Sequence, residues 1–271
     1  MEGPRPPIVI YASHLAGLAG LHRYRDQMQA VVDQWWSTDP AGCCEYLDAH
    51  ASNFNFDSHV LDAEQHREFE TACKLAIDAP NGRTFETVLA SVSNADVREK
   101  VREESSKVRG CRGEDAALTE VERKYDVAVT NRNDQLYTRE LVWPASPDGV
   151  GAPTNRKVVI VGRIDGIAGS QLTEVKNRMR GFFRSVPLYE QVQVQTYMWL
   201  TGKPSCLFVQ RFDGQIREEV LEFDAHFWQH TVLCGLADGV RKLERLLSGE
   251  NLHDTLQSGV LPEKYVRARA A

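Results

Sequence analysis

The sequence lacks any apolar run near the roughly 20 residues that a membrane-spanning helix requires. Its first residues, up to Leu15, also lack an apolar segment of the length found in secretory signal peptides. We therefore expect a soluble intracellular protein, of the cytoplasm or nucleus, that is not secreted.

Cysteines are few and scattered, with neither C-x-x-C spacing nor a clustered framework. Free thiols in a reducing compartment are the expected state, and no iron–sulfur cluster is expected, because such clusters need grouped cysteines. The six positions are Cys43, Cys44, Cys73, Cys111, Cys206 and Cys234.

Several common catalytic motifs are also missing. There is no G-x-S-x-G elbow, no Walker loop and no dinucleotide fingerprint, since Gly162, Gly166 and Gly169 have the wrong spacing and lead into a strand. His226 and His230 lie four residues apart, a spacing that can bind zinc, but no glutamate follows His226 and no third ligand is nearby. A surface or capping role is the favoured interpretation of this pair.

The composition is that of an ordinary globular protein, with 42% hydrophobic and 26% charged residues in a chain of 271. Periodicity and turn residues predict an α/β (α+β) protein with a helical N-terminal lobe. We expect a lobe over 1–109, a core over 110–250 and a loosely attached C-terminal tail over 251–271. The predicted helices are 13–38, 41–50, 59–78, 84–92, 94–107, 114–124, 188–201 and 225–248; the predicted strands are 125–131, 135–143, 158–161, 172–176, 205–212 and 216–223, with a loop at 144–153 and a hairpin turn at Asp213-Gly214. On helix 188–201, the residues expected to pack inward are Leu188, Val192 and Trp199. On the last helix, the expected apolar face consists of Phe227, Val232, Leu233, Leu236, Val240, Leu243 and Leu247.

The stretch from Val158 to Lys176 carries the main chemical pattern. An apolar, β-branched run leads to Asp165, and a second strand follows in which Glu174 and Lys176 share one side, because side chains alternate along a strand. If the two strands pair as a hairpin, Asp165 and Glu174 lie close enough to share a divalent cation. Two carboxylates suit Mg²⁺.

An aspartate followed nine positions later by Glu-x-Lys resembles the PD-(D/E)XK nuclease superfamily, and in particular its lambda-exonuclease-like, viral recombinase-type branch. Three further motifs occur in the order typical of that branch. Gln193 and Tyr197 match a Q-x-x-x-Y helix, Gly110 to Glu114 resembles a G-x-x-x-E helix start, and Ala12-Ser13 is similar to a phosphate-binding Ala-Ser step. Ile164 stands where a proline often precedes the aspartate.

The resemblance implies a restriction-endonuclease-like core with a central mixed β-sheet flanked by helices. It also implies hydrolysis of phosphodiester bonds with Mg²⁺ or Mn²⁺ as the cofactor. The expected metal ligands are Asp165, Glu174, the carbonyl of Val175 and Glu114. Lys176 would orient or help deprotonate the attacking water, with Gln193 positioning the water or Lys176. The expected nucleic-acid contacts are Ser13, Arg163, Arg178, Arg180 and Tyr197.

The charge distribution fits such a partner although the net charge is −6. Residues 176–184 carry four basic residues and no acidic one, and residues 98–112 carry six basic and three acidic residues. Both segments flank the expected site, as a phosphate-binding groove requires. Trp35, Trp36 and Tyr24 could also stack on bases, although aromatics in a helical lobe more often belong to the core.

The expected partner is DNA, either a linear duplex degraded from its ends or a single strand. Relatives of this type sometimes form ring-shaped oligomers, so a homo-oligomer is a further expectation. Two alternatives remain open: a nuclease fold that binds nucleic acid without cutting it, and a structure-specific endonuclease acting on RNA or branched DNA.

Overall fold

The computed structural model describes residues 5–49, 61–143 and 152–250, together with 261, 262 and 265. The helices are α1 (Ala12–Leu18), α2 (Gln27–Thr38), α3 (Pro40–Ala49), α4 (Ala63–Asp78), α5 (Gly82–Ser91), α6 (Ala95–Tyr125), α7 (Leu188–Thr201), α8 (Ala225–Phe227) and α9 (Leu233–Leu247), with a π-helical turn, Trp228–Val232, between the last two. The strands are β1 (Ile8–Tyr11), β2 (Val129–Thr130), β3 (Leu136–Leu141), β4 (Val158–Arg163), β5 (Gly166–Ala168), β6 (Gln171–Asn177), β7 (Ser205–Phe212) and β8 (Gln215–Glu222).

The strands form two mixed sheets. The first has the order β1-β4-β3, in which β1 and β4 are parallel and β3 is antiparallel to β4. The second has the order β2-β5-β6-β7-β8, in which β6 and β7 are parallel and the other pairs are antiparallel. The predicted mixed α/β architecture, with helices flanking the sheet, is confirmed.

Three groups of buried side chains hold the molecule together. The largest joins both sheets to α1, α2, α7 and α9. A second consists of α4, α5 and the first half of α6, including Phe85, Leu89 and Val97. A third packs the second half of α6 on β6 and β7. Thus β1, α1 and α2 pack with the sheets, and the predicted division near residue 109, which stays a prediction, falls within α6.

Helix α6 is one helix where the sequence predicts two, over 94–107 and 114–124. Asn94 caps its N-terminus through bonds from the amides of Asp96 and Val97, and Asp126 ends it in the left-handed region at φ 53°. Gly110 and Gly113 do not interrupt it, because each half of the helix is buried against a different group. The prediction of a strand over 125–131 is wrong except at Val129–Thr130.

The predicted helix 13–38 is also wrong in its middle. Helix α1 stops at Leu18, Gly20 adopts a left-handed φ of 69°, and the side chain of Asp26 caps a new helix by accepting from the amides of Met28 and Gln29. A glycine followed by an N-capping aspartate is a recognisable break.

The C-terminal part needs two corrections. Leu188, expected to pack inward, is exposed. Leu261 and Tyr265, in the tail expected to be loose, are buried; the Leu261 carbonyl accepts from Gln29, and Tyr265 donates to Asp48. The predicted apolar face of the last helix is confirmed at Val232, Leu233, Leu236, Val240 and Leu243. None of the helices in the described ranges combines the length and the apolar composition needed to cross a bilayer.

Candidate active site

Asp165 lies where the chain passes from one sheet to the other. Strand β4 ends at Arg163 and β5 begins at Gly166, which pairs with Thr173 of β6. Asp165 therefore arrives beside Glu174. The two acids meet as the sequence predicts, but the hairpin that brings them together is β5–β6, because β4 pairs with β1 and β3 instead.

The acids, the lysine and Gln193 form one bonded group. The Val175 amide donates to Asp165 Oδ2 at 2.8 Å, and the carboxyl groups of Asp165 and Glu174 are within hydrogen-bond reach of each other. Lys176 Nζ donates to Glu174 Oε1 at 2.6 Å and to Gln193 Oε1 at 3.1 Å. Lys176 thus faces the same side of the sheet as both acids.

Tyr197 is hydrogen-bonded to this group through Gln193. Its hydroxyl accepts from Gln193 Nε2 at 2.9 Å, and its ring packs over Gly162, where an added Cβ would come within 2.8 Å of the ring. Gly162 is therefore what allows β4 to approach α7 closely. Since Tyr197 is buried, the prediction that it contacts nucleic acid is revised to a positioning role.

Burial is the largest influence on the pKa values of the two acids in the group. It raises the pKa of Asp165, although Lys176 and the Val175 amide act in the opposite direction. Burial and the neighbouring Asp165 charge raise the pKa of Glu174. Burial acts to lower the pKa of Lys176, but the charges of Glu174 and Asp165 outweigh it and raise that pKa. One ammonium group therefore faces two acids.

Glu174 Oε2 is buried and accepts no hydrogen bond from the residues that the structure describes. An unpaired buried carboxylate oxygen is costly, on the order of 1–3 kcal/mol or more, and native proteins rarely keep one without a ligand. The Glu174 carboxylate contacts both Asp165 and Lys176, and a hard divalent cation binds carboxylate oxygens of this kind.

Glu114 lies outside this group. It is in the middle of α6, and its Oε2 accepts from Asn133 Nδ2 at 3.2 Å. Burial, followed by the charge of Glu174, raises the pKa of Glu114. Within the described part of the chain, no three His, Cys, Asp or Glu side chains stand close enough together to form a metal site. Glu114 is therefore an electrostatic neighbour of the carboxylate pair.

The glycines of the G-x-x-x-E pattern have a packing role in the middle of α6. Asn177 Nδ2 donates to the Gly110 carbonyl at 2.8 Å, and an added Cβ at Gly113 would lie 2.6 Å from the Asn177 side chain. Gly113 thus allows α6 to approach the end of β6, next to Lys176. The prediction of a helix start at this pattern is wrong.

Arg178 is not available for phosphate, contrary to the prediction. Its guanidinium binds both carboxylate oxygens of Glu190 at 2.7 Å, and its Nε donates to Gln210 at 2.9 Å. The pair is nearly buried, with side chains 10% and 5% exposed. Nothing in the local sequence indicated Glu190 or Gln210, because these partners are 12 and 32 residues away.

The other expected nucleic-acid residues lie at the surface. Strands β1 and β4 run parallel, with Tyr11 beside Val161, so the residues that follow them lie at the same end of the sheet. Ser13 and Arg163 are both exposed at this end, where the chain continues to Asp165. Arg180 is exposed too, and it binds Glu86 at 2.7 Å.

A basic cleft adjoins the site. It has a volume of about 990 Å³ and lies between α5, α6 and the ends of β6 and β7. Asn177, which follows Lys176, is part of its wall. Its charged lining is mainly arginine: Arg83, Arg109, Arg112, Arg178, Arg180 and Arg211, with Glu86 and Asp213 as the acids. Arg83 and Arg211 are additions to the basic segments that the sequence indicated.

Comparison with solved structures adds one finding. The protein is structurally similar to an alkaline exonuclease. The crystal structure of LHK-Exo in complex with dAMP aligns over 96% of this chain and 92% of its own, at 14% identity and a TM-score of 0.42. That of the alkaline exonuclease LHK-Exo from Laribacter hongkongensis aligns over 66% of this chain and 91% of its own, at 18% identity and a TM-score of 0.37.

A third structure, of SSO0001, aligns over 69% of this chain and 85% of its own, at 14% identity and a TM-score of 0.37. The sequence matches no family model and no curated relative. The likeness to LHK-Exo is one of distant fold.

Proposed function

We propose that this protein is a metal-dependent deoxyribonuclease that hydrolyses phosphodiester bonds of linear duplex DNA from the ends. The observation that carries the proposal is the bonded group of Asp165, Glu174 and Lys176, in which Glu174 Oε2 accepts no hydrogen bond from any described residue. A binding module has no need to keep two buried, mutually repelling carboxylates beside a lysine.

The metal proposed is Mg²⁺ or Mn²⁺, held by carboxylate oxygens of Asp165 and Glu174. The Val175 carbonyl would be a third ligand, and Glu114 would act on the acidic site through a water. When bound, the cation supplies positive charge to the scissile phosphate and lowers the pKa of a nearby water.

The protein's own groups orient the reactants. The Val175 amide holds Asp165, and Glu174 and Gln193 together hold the Lys176 ammonium. Because the surrounding acids raise the pKa of Lys176, its proposed role is to donate a hydrogen bond that positions the attacking water or a phosphate oxygen. Ser13, Arg163 and Arg180 are the proposed phosphate contacts, and the basic cleft extends the same positive surface.

The test compares an end-labelled linear duplex with a covalently closed circle, each incubated in Mg²⁺ and in EDTA. We expect the linear DNA to shorten progressively in Mg²⁺ only, while the circle stays intact. Cleavage of the circle would favour the endonuclease alternative. Binding of DNA in Mg²⁺ without any cleavage would favour the binding module.

Metal should also stabilise the fold. At a hundred times its dissociation constant, a ligand that binds only the folded state adds about 2.7 kcal/mol, which is several degrees in melting temperature. We expect Mg²⁺ to raise the melting temperature of the wild type but not that of Asp165→Asn. Asp134→Asn, at an exposed position outside the helices and strands, should keep the wild-type shift.

In EDTA, where no metal is bound, Asp165→Asn should be at least as stable as the wild type. The pKa values of Asp165 and Glu174 are raised in the folded protein. Both groups therefore stabilise the fold in acid, and this stabilisation is lost as the pH rises through their pKa values in the folded state. Asp165→Asn should therefore melt at or above the wild type at neutral pH, and its advantage should grow with pH. A variant that melts well below the wild type in EDTA at neutral pH would contradict this electrostatic description.

Gln193→Leu tests the connection between Lys176 and Tyr197. Removing this amide frees Lys176 to move, and losses of about 10–100-fold are typical when a supporting group of this kind is removed. We expect such a fall in the DNA cleavage rate. The matched control is Gln191→Leu, whose amide donates to the Val186 carbonyl on another side of α7; equal losses in the two variants would count against a specific role for Gln193.

A further inference from the structure

An aromatic pocket lies at the N-terminal end of α7, the helix that also carries Gln193 of the catalytic group. It has a volume of about 540 Å³ and forms where the loop between α1 and α2 meets the first turn of α7 and the segment before that helix. We define the aromatic pocket by four rings: His22 and Tyr24 from the loop, Phe183 from the segment before α7, and Tyr189 from α7.

His22, Tyr24 and Tyr189 form a connected set of rings, and the pocket remains open to solvent. The centroids of His22 and Tyr189 are 4.6 Å apart, and those of Tyr24 and Tyr189 are 6.1 Å apart in an edge-on arrangement. Tyr24 is 70% exposed and Phe183 is 39% exposed. Large aromatic rings grouped at a surface indicate a binding site, because their apolar faces gain free energy when they are covered.

The charged side chains that line the pocket are arginines, and the nearby Glu190, which acts on Tyr189 and His22, is held in a buried ion pair with Arg178. The Arg23 guanidinium lies 5.4 Å from the centroid of the Tyr24 ring, and Arg184 is an exposed part of the wall. None of the described residues that line the pocket is acidic. Exposed aromatics combined with arginine are the features that bind unpaired nucleic-acid strands: the rings stack on bases and the cations bind phosphates.

The pocket is connected to the catalytic group through two elements. Tyr189 and Gln193 are four residues apart on α7, which places them on one face about 6 Å apart along the axis. Phe183 packs on the Arg178 guanidinium, 4.4 Å from its ring centroid, and Arg178 follows Lys176 by two residues. A strand reaching the carboxylate pair would therefore pass close to these rings.

We infer that the aromatic pocket binds bases of an unpaired nucleic-acid strand by stacking, next to the bond that is cut. Its volume lies within the range of small-molecule binding sites, about 300–1,000 Å³, and the ligand class is a single-stranded nucleic-acid end. The position relative to the cut rests on the proposed function, whereas strand binding does not depend on cleavage.

The experiment measures dissociation constants by fluorescence anisotropy in EDTA, where no cleavage can occur. The two probes are a short labelled oligothymidine strand and an abasic strand of the same length, which has the same phosphates but no bases. The wild type should prefer the strand with bases about tenfold or more, the effect expected from stacking on one ring.

Tyr24→Ala should lose most of this preference, and Tyr24→Phe should keep it, because only the hydroxyl is removed. Tyr125→Ala, which removes another exposed tyrosine outside the pocket, should behave like the wild type. Equal binding of both strands by the wild type, or full preference in Tyr24→Ala, would overturn the inference. If the preference behaves as expected but the wild type cuts no DNA in Mg²⁺, the proposed nuclease function fails and the pocket assignment stands.

Discussion

Asp165→Asn and Lys176→Met should each lower the rate of DNA cleavage by about 10³-fold or more, or roughly 4 kcal/mol of transition-state stabilisation. Asp165→Asn removes one of two carboxylates proposed to hold the metal, although the amide oxygen can still accept from Val175. Lys176→Met keeps the length of the side chain but removes the ammonium that Glu174 and Gln193 hold in place. Single-turnover cleavage of end-labelled duplex is the appropriate measurement.

Two matched variants separate catalysis from general charge effects. Asp134→Asn and Lys107→Met make the same chemical changes at exposed positions, and both should cleave like the wild type. Circular dichroism should show that Asp165→Asn retains the fold. Wild-type cleavage rates in folded Asp165→Asn or Lys176→Met would contradict the proposed site.

Arg178→Met should lower the free energy of unfolding by about 3–5 kcal/mol, the typical cost of removing one partner of a buried ion pair. The substitution leaves the Glu190 carboxylate buried without its bidentate partner and also removes a donor to Gln210. Urea denaturation measures this loss. The double variant Arg178→Met/Glu190→Leu should recover much of it, because an apolar pair leaves no uncompensated charge.

Arg180→Met is the control for this prediction. Arg180 also binds a glutamate, Glu86, at 2.7 Å, but its side chain is 68% exposed. Exposed ion pairs contribute about 0–1 kcal/mol, so the loss should be small. Similar losses for Arg178→Met and Arg180→Met would show that burial does not set the strength of the Arg178 pair.

The elements predicted best are those defined by local residues. Helix α7 has the predicted bounds, 188–201, and β7 and β8 enclose the predicted turn at Asp213-Gly214. Both turn residues have positive φ, 48° and 73°, the backbone that an Asp-Gly hairpin turn favours. Here the sequence neighbours alone determine the structure.

Elements that depend on distant partners were not predictable in this way. The two halves of α6 merge because separate groups of buried residues support them, and glycine alone does not end a helix. The pairing of β5 in place of β4 with β6 likewise depends on β1, which joins β4 from the opposite end of the sequence.

The candidate site shows the same difference. The spacing of Asp165, Glu174 and Lys176 indicated that they would meet, because alternation along β6 and one short hairpin suffice to bring them together. Two other features depend on how helices pack on the sheet. The packing of α7 forms the ion pair between Arg178 and Glu190, and the packing of α6 keeps Glu114 apart from the carboxylate pair. Spacing in the sequence contains no information on that packing.

Anomalous diffraction from crystals soaked in Mn²⁺ tests the central claim most directly. We predict a single strong peak bonded to oxygens of both Asp165 and Glu174, absent from crystals of Asp165→Asn. Wild-type crystals in which Mn²⁺ is found elsewhere, while Glu174 Oε2 contacts only protein, would contradict a metal-dependent nuclease site at these residues.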